Sequence, residues 1–97
     1  RWVIHTVGPN WSRGQRDPAQ LASCYETSLD VAVGLGARSI AFPAVSAGAY
    51  GWAAATVADT AVAAVRRSAA AEQLDLVRFV LFGRPVHDEF VRALGAS

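Results

Sequence analysis

The stretch FPAVSAGAYGW (Phe42–Trp52) contains two glycines and no charged residue, and it interrupts two very different segments. Before it runs RSIAFPAV (Arg38–Val45), a short apolar run that reads as a strand buried on both faces. After it, residues 53–71 are rich in alanine, with Val57, Ala61 and Val65 along one side at helical spacing. The stretch is therefore a strand-to-helix turn. In open parallel sheets such turns gather beyond the carboxyl ends of the strands, where ligands bind. The small residues Ser46, Ala47, Gly48 and Ala49 leave backbone N–H groups accessible to a ligand that approaches closely. Glycine permits the φ values that aim successive N–H groups at one point.

The helix that follows begins near Trp52–Ala53 with no Ser, Thr, Asp or Asn at the cap. Its first N–H groups lack a side-chain acceptor, and an anion can take that place through charge-assisted bonds of about 1.5–3 kcal/mol each. The competing reading is a water-capped turn whose small residues let strand and helix pack closely. Tyr50, an aromatic between small residues, suits a lid over a sugar or base, or folds back on the helix.

Working outward, WVIHTV (Trp2–Val7) alternates, is rich in β-branched residues and stops at Gly8-Pro9, which predicts a strand. Residues 10–17 are polar and aperiodic, a loop. Asp17-Pro18-Ala19-Gln20 then combines a capping carboxylate, a proline at the first helical position and a capping-box partner. Leu21, Tyr25, Ser28, Leu29 and Ala32 supply that helix's inward stripe, and Gly34 or Gly36 ends it. LVRFVLF (Leu76–Phe82) predicts a third strand, and Pro85–Leu94 a last helix with Val86, Phe90, Val91 and Leu94 inward. The order β-α-β-α-β-α predicts an α/β domain with mostly parallel strands and right-handed crossovers.

The chain's 97 residues allow one domain at most, burying roughly 60–70% of its unfolded surface. Apolar residues make up 53% and net charge is +1, the profile of a globular chain with little attraction for nucleic acid or membrane surfaces. No apolar run approaches the roughly 20 residues of a membrane span, and no secretory leader pattern opens the chain. A single cysteine, Cys24, excludes an internal disulfide and fits a cytoplasmic location.

Other chemistry is thinly represented. AVSAG (Ala44–Gly48) has the outline of a nucleophile elbow, with Asp75 and His87 following Ser46 in the chain order of serine hydrolases of the α/β type. Against that reading, the first position is Ala44 rather than glycine and no second oxyanion loop is visible. His5 reads as a structural strand residue, His87 as exposed, and Cys24 as a small buried hydrophobe. No His or Cys pair has metal-ligand spacing, so no metal site and no cofactor are predicted. Arg66, Arg67 and Glu72 read as a solvated helix surface.

WVIHTVGPNW, LASCYETSLDVAVGLGARSIAFPAVSAGAYGW and VRFVLF together resemble, in order, the macro domain family of ADP-ribose-binding modules; the most diagnostic piece is SIAFPAVSAGAYG. The resemblance implies a three-layer α/β/α fold in which this turn wraps the diphosphate of ADP-ribose. On that basis Ser46, Ala47, Gly48 and Ala49 supply N–H groups to the phosphates, and Val45 lines the pocket. Tyr50 covers the distal ribose, Gly51 permits the turn, and Phe82 packs on the adenine side. Ala47 stands where members often have Thr, and Ala53 where they often have Pro.

The family's amino-terminal motifs are not found in residues 1–97: the Asp that bonds adenine, the NAAN segment at the distal ribose, and the glycine-rich loop facing the diphosphate. The chain is read as the carboxy-terminal portion of one macro domain, with an incomplete family sheet and no catalytic residue of its own. The function implied is ADP-ribose recognition within an ADP-ribosyl-ester hydrolase. Such an enzyme removes mono-ADP-ribose from protein or deacetylates O-acetyl-ADP-ribose, and the partner is ADP-ribose or ADP-ribosylated protein. The alternatives are a non-catalytic reader, or an inactive fragment.

Overall fold

The computed structural model describes residues 8–43, 51–81 and 83–95. A 3-10 turn (Trp11–Arg13) leads into helix α1 (Pro18–Gly34), strand β1 (Ser39–Phe42) and helix α2 (Ala54–Arg67). A second 3-10 turn (Ala71–Gln73), strand β2 (Leu76–Phe79) and helix α3 (Arg84–Gly95) complete the order. The predicted strand Trp2–Val7 lies outside the described residues.

α1 starts and stops as its sequence dictates. Asp17 is the N-cap, its Oδ1 accepting from the Ala19 N–H at 2.9 Å, and Pro18 opens the helix. At the other end Gly36 (φ 80°) closes a paired 6→1 and 5→2 arrangement. There the Ala37 N–H donates to Ala32 O and the Gly36 N–H to Val33 O, each at 3.0 Å, satisfying two otherwise orphaned carbonyls. The predicted stripe of Leu21, Tyr25, Ser28, Leu29 and Ala32 is buried in full.

β1 and β2 pair in parallel, Ser39 opposite Leu76 through Phe42 opposite Phe79. The pairing is prolonged at both ends by Asp75 N–H to Arg38 O and Val80 N–H to Phe42 O, both 2.7 Å. α2 is the crossover between them, and it packs against both α1 and α3. Its buried Ala58, Ala61 and Ala64 let the neighbouring helices approach closely. Four rings then run across the elements. Tyr25 meets Phe42 edge-on at 5.0 Å, Phe42 stacks on Phe79 at 6.1 Å, and Phe79 meets Phe90 at 4.9 Å. Tyr25, Phe42 and Phe90 are buried, each contributing about 1.5–3 kcal/mol from area alone, and Phe79 is half-buried.

Three expectations need correction. The strand expected to be buried on both faces is one-sided where described: Phe42 is buried and Ile40 half-buried, but Ser39 and Ala41 are exposed. β2 alternates likewise, with Leu76 46% exposed. Among the described residues, all three helices share a single core with the face of the sheet that carries Ile40 and Phe42.

α2 ends at Arg67 rather than at 71, because Ser68 turns to extended backbone (ψ 123°) and its Oγ accepts from the Ala71 N–H at 3.2 Å. On α3 the inward residues are Phe90 and Ala93, with Val86 half-buried, while Val91 (56%) and Leu94 (49%) face solvent. Contact between Phe90 and Phe79 sets the helix's rotation and carries Val91 off the inner face.

Arg66 and Arg67 do more than solvate a surface. Arg67 joins α2 to α1 through Glu26 (2.7 Å), and Arg66 donates to the carbonyl of Leu94 on α3 at 2.7 Å. Arg92 bridges Glu89 and Asp59, hydrogen bonds that raise its pKa above the ordinary guanidinium value. The group is charged at any physiological pH in either case. No helix among the described residues is long and apolar enough to cross a membrane.

Candidate functional site

Of the residues assigned to the ligand, Val45, Ser46, Ala47, Gly48, Ala49, Tyr50 and Phe82 lie outside the described residues, and Gly51 lies within them. The site is therefore built from the two stems between which residues 44–50 run.

The first stem is the carboxyl end of β1. Phe42 is buried in the ring cluster, and its carbonyl is held by Val80. The hydroxyl of fully buried Tyr25 donates to the Pro43 carbonyl at 3.4 Å, reaching from α1 to the last described residue before the turn.

The second stem is Gly51–Trp52, and sequence reasoning missed what holds it. Trp52 is buried, and its indole N–H donates to the carbonyl of Pro9 at 3.0 Å. Trp11 meets it edge-on with centroids 5.3 Å apart. Gly51 adopts φ 81°, and a Cβ there would lie 2.8 Å from the Ser12 hydroxyl. Where the sequence reads residues 10–17 as a polar loop, residues 8–16 thus form a shaped support.

Asn10 organises that support. Its Oδ1 accepts from the Ser12 N–H, its carbonyl accepts from the Arg13 and Gln15 N–H groups, and its own N–H donates to Gln15 Oε1 at 2.7 Å. Arg16 closes the loop, its guanidinium 4.6 Å from the Trp11 ring centre while Nε donates to the Trp11 carbonyl. The signal available in the sequence was the pair Trp11 and Trp52 flanking Gly-rich segments.

From Trp52 the chain enters α2. The N-cap is Ala53, in extended backbone (ψ 135°), and it makes no side-chain hydrogen bond, as its sequence predicted. The first helical bond is Val57 N–H to Ala53 O at 3.0 Å. The positive end of a helix dipole, uncapped by a side chain of its own N-cap, thus follows Gly51 with only Trp52 and Ala53 between.

The rival groupings separate. Asp75 precedes β2 and pairs with Arg38 at 3.0 Å, whereas His87 lies beyond the strand's other end, exposed and 3.6 Å from Asp88. The length of β2, about 13 Å at 3.3 Å per residue, stands between them, which does not suit a hydrolase acid–histidine pair. Cys24 is buried, its Sγ 3.5 Å from the Gln20 carbonyl, as expected of a packed thiol. Among the described residues no three His, Cys, Asp or Glu side chains converge as metal ligands.

A surface groove of about 520 Å³ lies elsewhere, lined by Asp59, Val62, Ala63, Arg66, Arg67 and Ala93. It uses the carboxyl half of α2, and its arginines and Asp59 are engaged with Leu94, Glu26 and Arg92.

A family model described as Macro domain matches residues 1–61. A macro domain-containing protein of Streptomyces nogalater is 50% identical over 95 residues, covering 98% of this chain and 51% of the relative. The chain thus spans about half the length of the curated relatives it matches. The solved macrodomain of Oceanobacillus iheyensis with ADP superposes with a TM-score of 0.86 at 31% identity, over 98% of this chain and 50% of that one. A Trypanosoma brucei macrodomain in complex with ADP-ribose superposes with a TM-score of 0.76 at 28% identity, over 82% of this chain and 35% of that one. A family model over more than half of the residues, a relative at 50% identity and a solved fold at a TM-score of 0.86 agree: the chain belongs to the macro domain family.

Proposed function

We propose that the protein binds ADP-ribose through residues 45–51, and that the intact protein hydrolyses ADP-ribosyl esters. The observation that carries the reading is that the segment joining the carboxyl end of β1 to α2 enters a helix whose N-cap, Ala53, offers no side-chain acceptor. A diphosphate satisfies that helix end with charge-assisted bonds. Family relatives solved with ADP and with ADP-ribose support the choice of ligand.

In this reading the N–H groups of Ser46, Ala47, Gly48 and Ala49 cradle the diphosphate, and Val45 lines the pocket. Tyr50 lies over the distal ribose, Gly51 allows the return into α2, and Phe82 packs towards adenine. Hydrolysis adds water across the ester between the distal ribose and a carboxyl group, releasing a free carboxylate and ADP-ribose. Positioning of ester and water supplies most of the rate, so this half of the site contributes alignment rather than a base.

Calorimetric titration of the intact protein with ADP-ribose tests binding, and release of label from a protein ADP-ribosylated on acidic side chains tests turnover. Absence of binding heat at high protein concentration rejects the function; binding without release leaves a reader. Gly48→Glu fills the cradle with a negative charge and abolishes binding. Ser46→Ala changes affinity little, because the backbone N–H is retained; a large loss would instead favour the nucleophile reading of Ser46.

A further inference from the structure

Trp52 takes no part in the ligand contacts proposed above, yet it ties the turn to α2. Its ring is buried and its N–H reaches the buried Pro9 across 43 positions of sequence. The next residue, Ala53, is the N-cap whose carbonyl accepts the first bond of α2. Trp11 packs on its ring, and the Ser12 hydroxyl sits against Gly51. Trp52 is thus anchored one residue before the N-cap of α2.

We infer that Trp52 is a positioning residue, a latch that holds the amino-terminal turn of α2 and the Gly51 stem against the 8–16 loop. The ligand whose affinity it sets is the one proposed above, so that part rests on the ADP-ribose reading; the latch itself does not. Several N–H groups must meet one diphosphate at 2.7–3.2 Å together, and displacement of the helix end by a fraction of an ångström weakens all of them at once. Phenylalanine at position 52 would retain most of the apolar ring but remove the donor from the Pro9 carbonyl, freeing the stem to shift.

The test compares the intact protein with Trp52→Phe, and uses Leu29→Val in the α1 core as a variant of similar stability loss. Amide exchange at Val57 relative to Val62 is expected to rise about tenfold in Trp52→Phe. ADP-ribose affinity falls about fivefold, the size of one lost hydrogen bond. Leu29→Val moves neither reading. Unchanged exchange at Val57 overturns the latch, as does an equal affinity loss in Leu29→Val, which would make the effect one of stability alone. If the parent protein binds no ADP-ribose, the proposed function fails, while the exchange arm still decides the latch. Where Trp52→Phe does not fold, the parent suffices. By NMR the Trp52 indole N–H must exchange far more slowly than that of the half-exposed Trp11, and fast exchange rejects the inference.

Discussion

Replacing Gly51 by alanine probes the turn's second stem with an internal standard in the same molecule. Gly51 and Gly36 share nearly the same backbone, φ 81° and 80°, but their surroundings differ. A Cβ on Gly36 meets nothing within 4 Å, whereas one on Gly51 lies 2.8 Å from Ser12 Oγ and 3.7 Å from both Ser12 N and Trp11 Cβ. Gly36→Ala therefore measures the left-handed backbone alone, about 1–2 kcal/mol. Gly51→Ala adds the displacement of the Ser12 hydroxyl. That group sits at the end of a rotatable bond, so the excess is modest, about 0.5–1.5 kcal/mol. Urea unfolding of both variants gives the difference directly, and Ser12→Ala introduced beside Gly51→Ala should remove the excess while leaving the backbone term. The reasoning is refuted if Gly51→Ala is no more costly than Gly36→Ala, or if removing the Ser12 hydroxyl fails to recover the gap.

Tyr25→Ala removes the ring shared by α1 and both strands and should cost about 3–5 kcal/mol in urea unfolding. Tyr25→Phe should cost about 1 kcal/mol or less, since its 3.4 Å bond to the Pro43 carbonyl is long. Asp17→Ala, which removes the α1 cap, should lower stability by about 1 kcal/mol, and Asp17→Asn should restore most of it. Val91→Thr, on the exposed side of α3, should stay within about 0.5 kcal/mol of the parent, whereas Ala93→Leu at the buried position should cost about 1–3 kcal/mol by overpacking.

The fold was most legible where its causes are local. The cap at Asp17, Pro18 at the first position and the 3.6-residue stripe all lie within α1 itself, and all five stripe residues are buried. Tertiary choices were harder. Alanines 69–71 favour a longer α2, but Ser68 finds a better use for its hydroxyl in capping the next short turn. On α3 large apolar residues occupy two overlapping faces, and tertiary contacts with Phe79 and with α2 decide which of them turns inward. A short apolar run such as Arg38–Val45 does not distinguish one buried face from two, because Ala41 satisfies either environment.

The site divides along the same line. That α2 would start without a side-chain cap was readable from Ala53, because capping depends on the identity of one residue. The support beneath the turn was not readable, because it joins Pro9 to Trp52, Ser12 to Gly51 and Tyr25 to Pro43. None of these pairs has a spacing that helical or strand periodicity would expose. They share a direction, however: each fixes backbone at one end or the other of residues 44–50. The stretch Ser46–Ala49, made of serine, alanine and glycine, has little side-chain surface with which to hold a shape, and ordering each residue costs about 1–2 kcal/mol of backbone entropy. In the proposed reading, stems held in place reduce the freedom the loop must lose when an anion gathers its N–H groups, which would make the aromatic clasp around Gly51 and the small residues of the turn two halves of one arrangement.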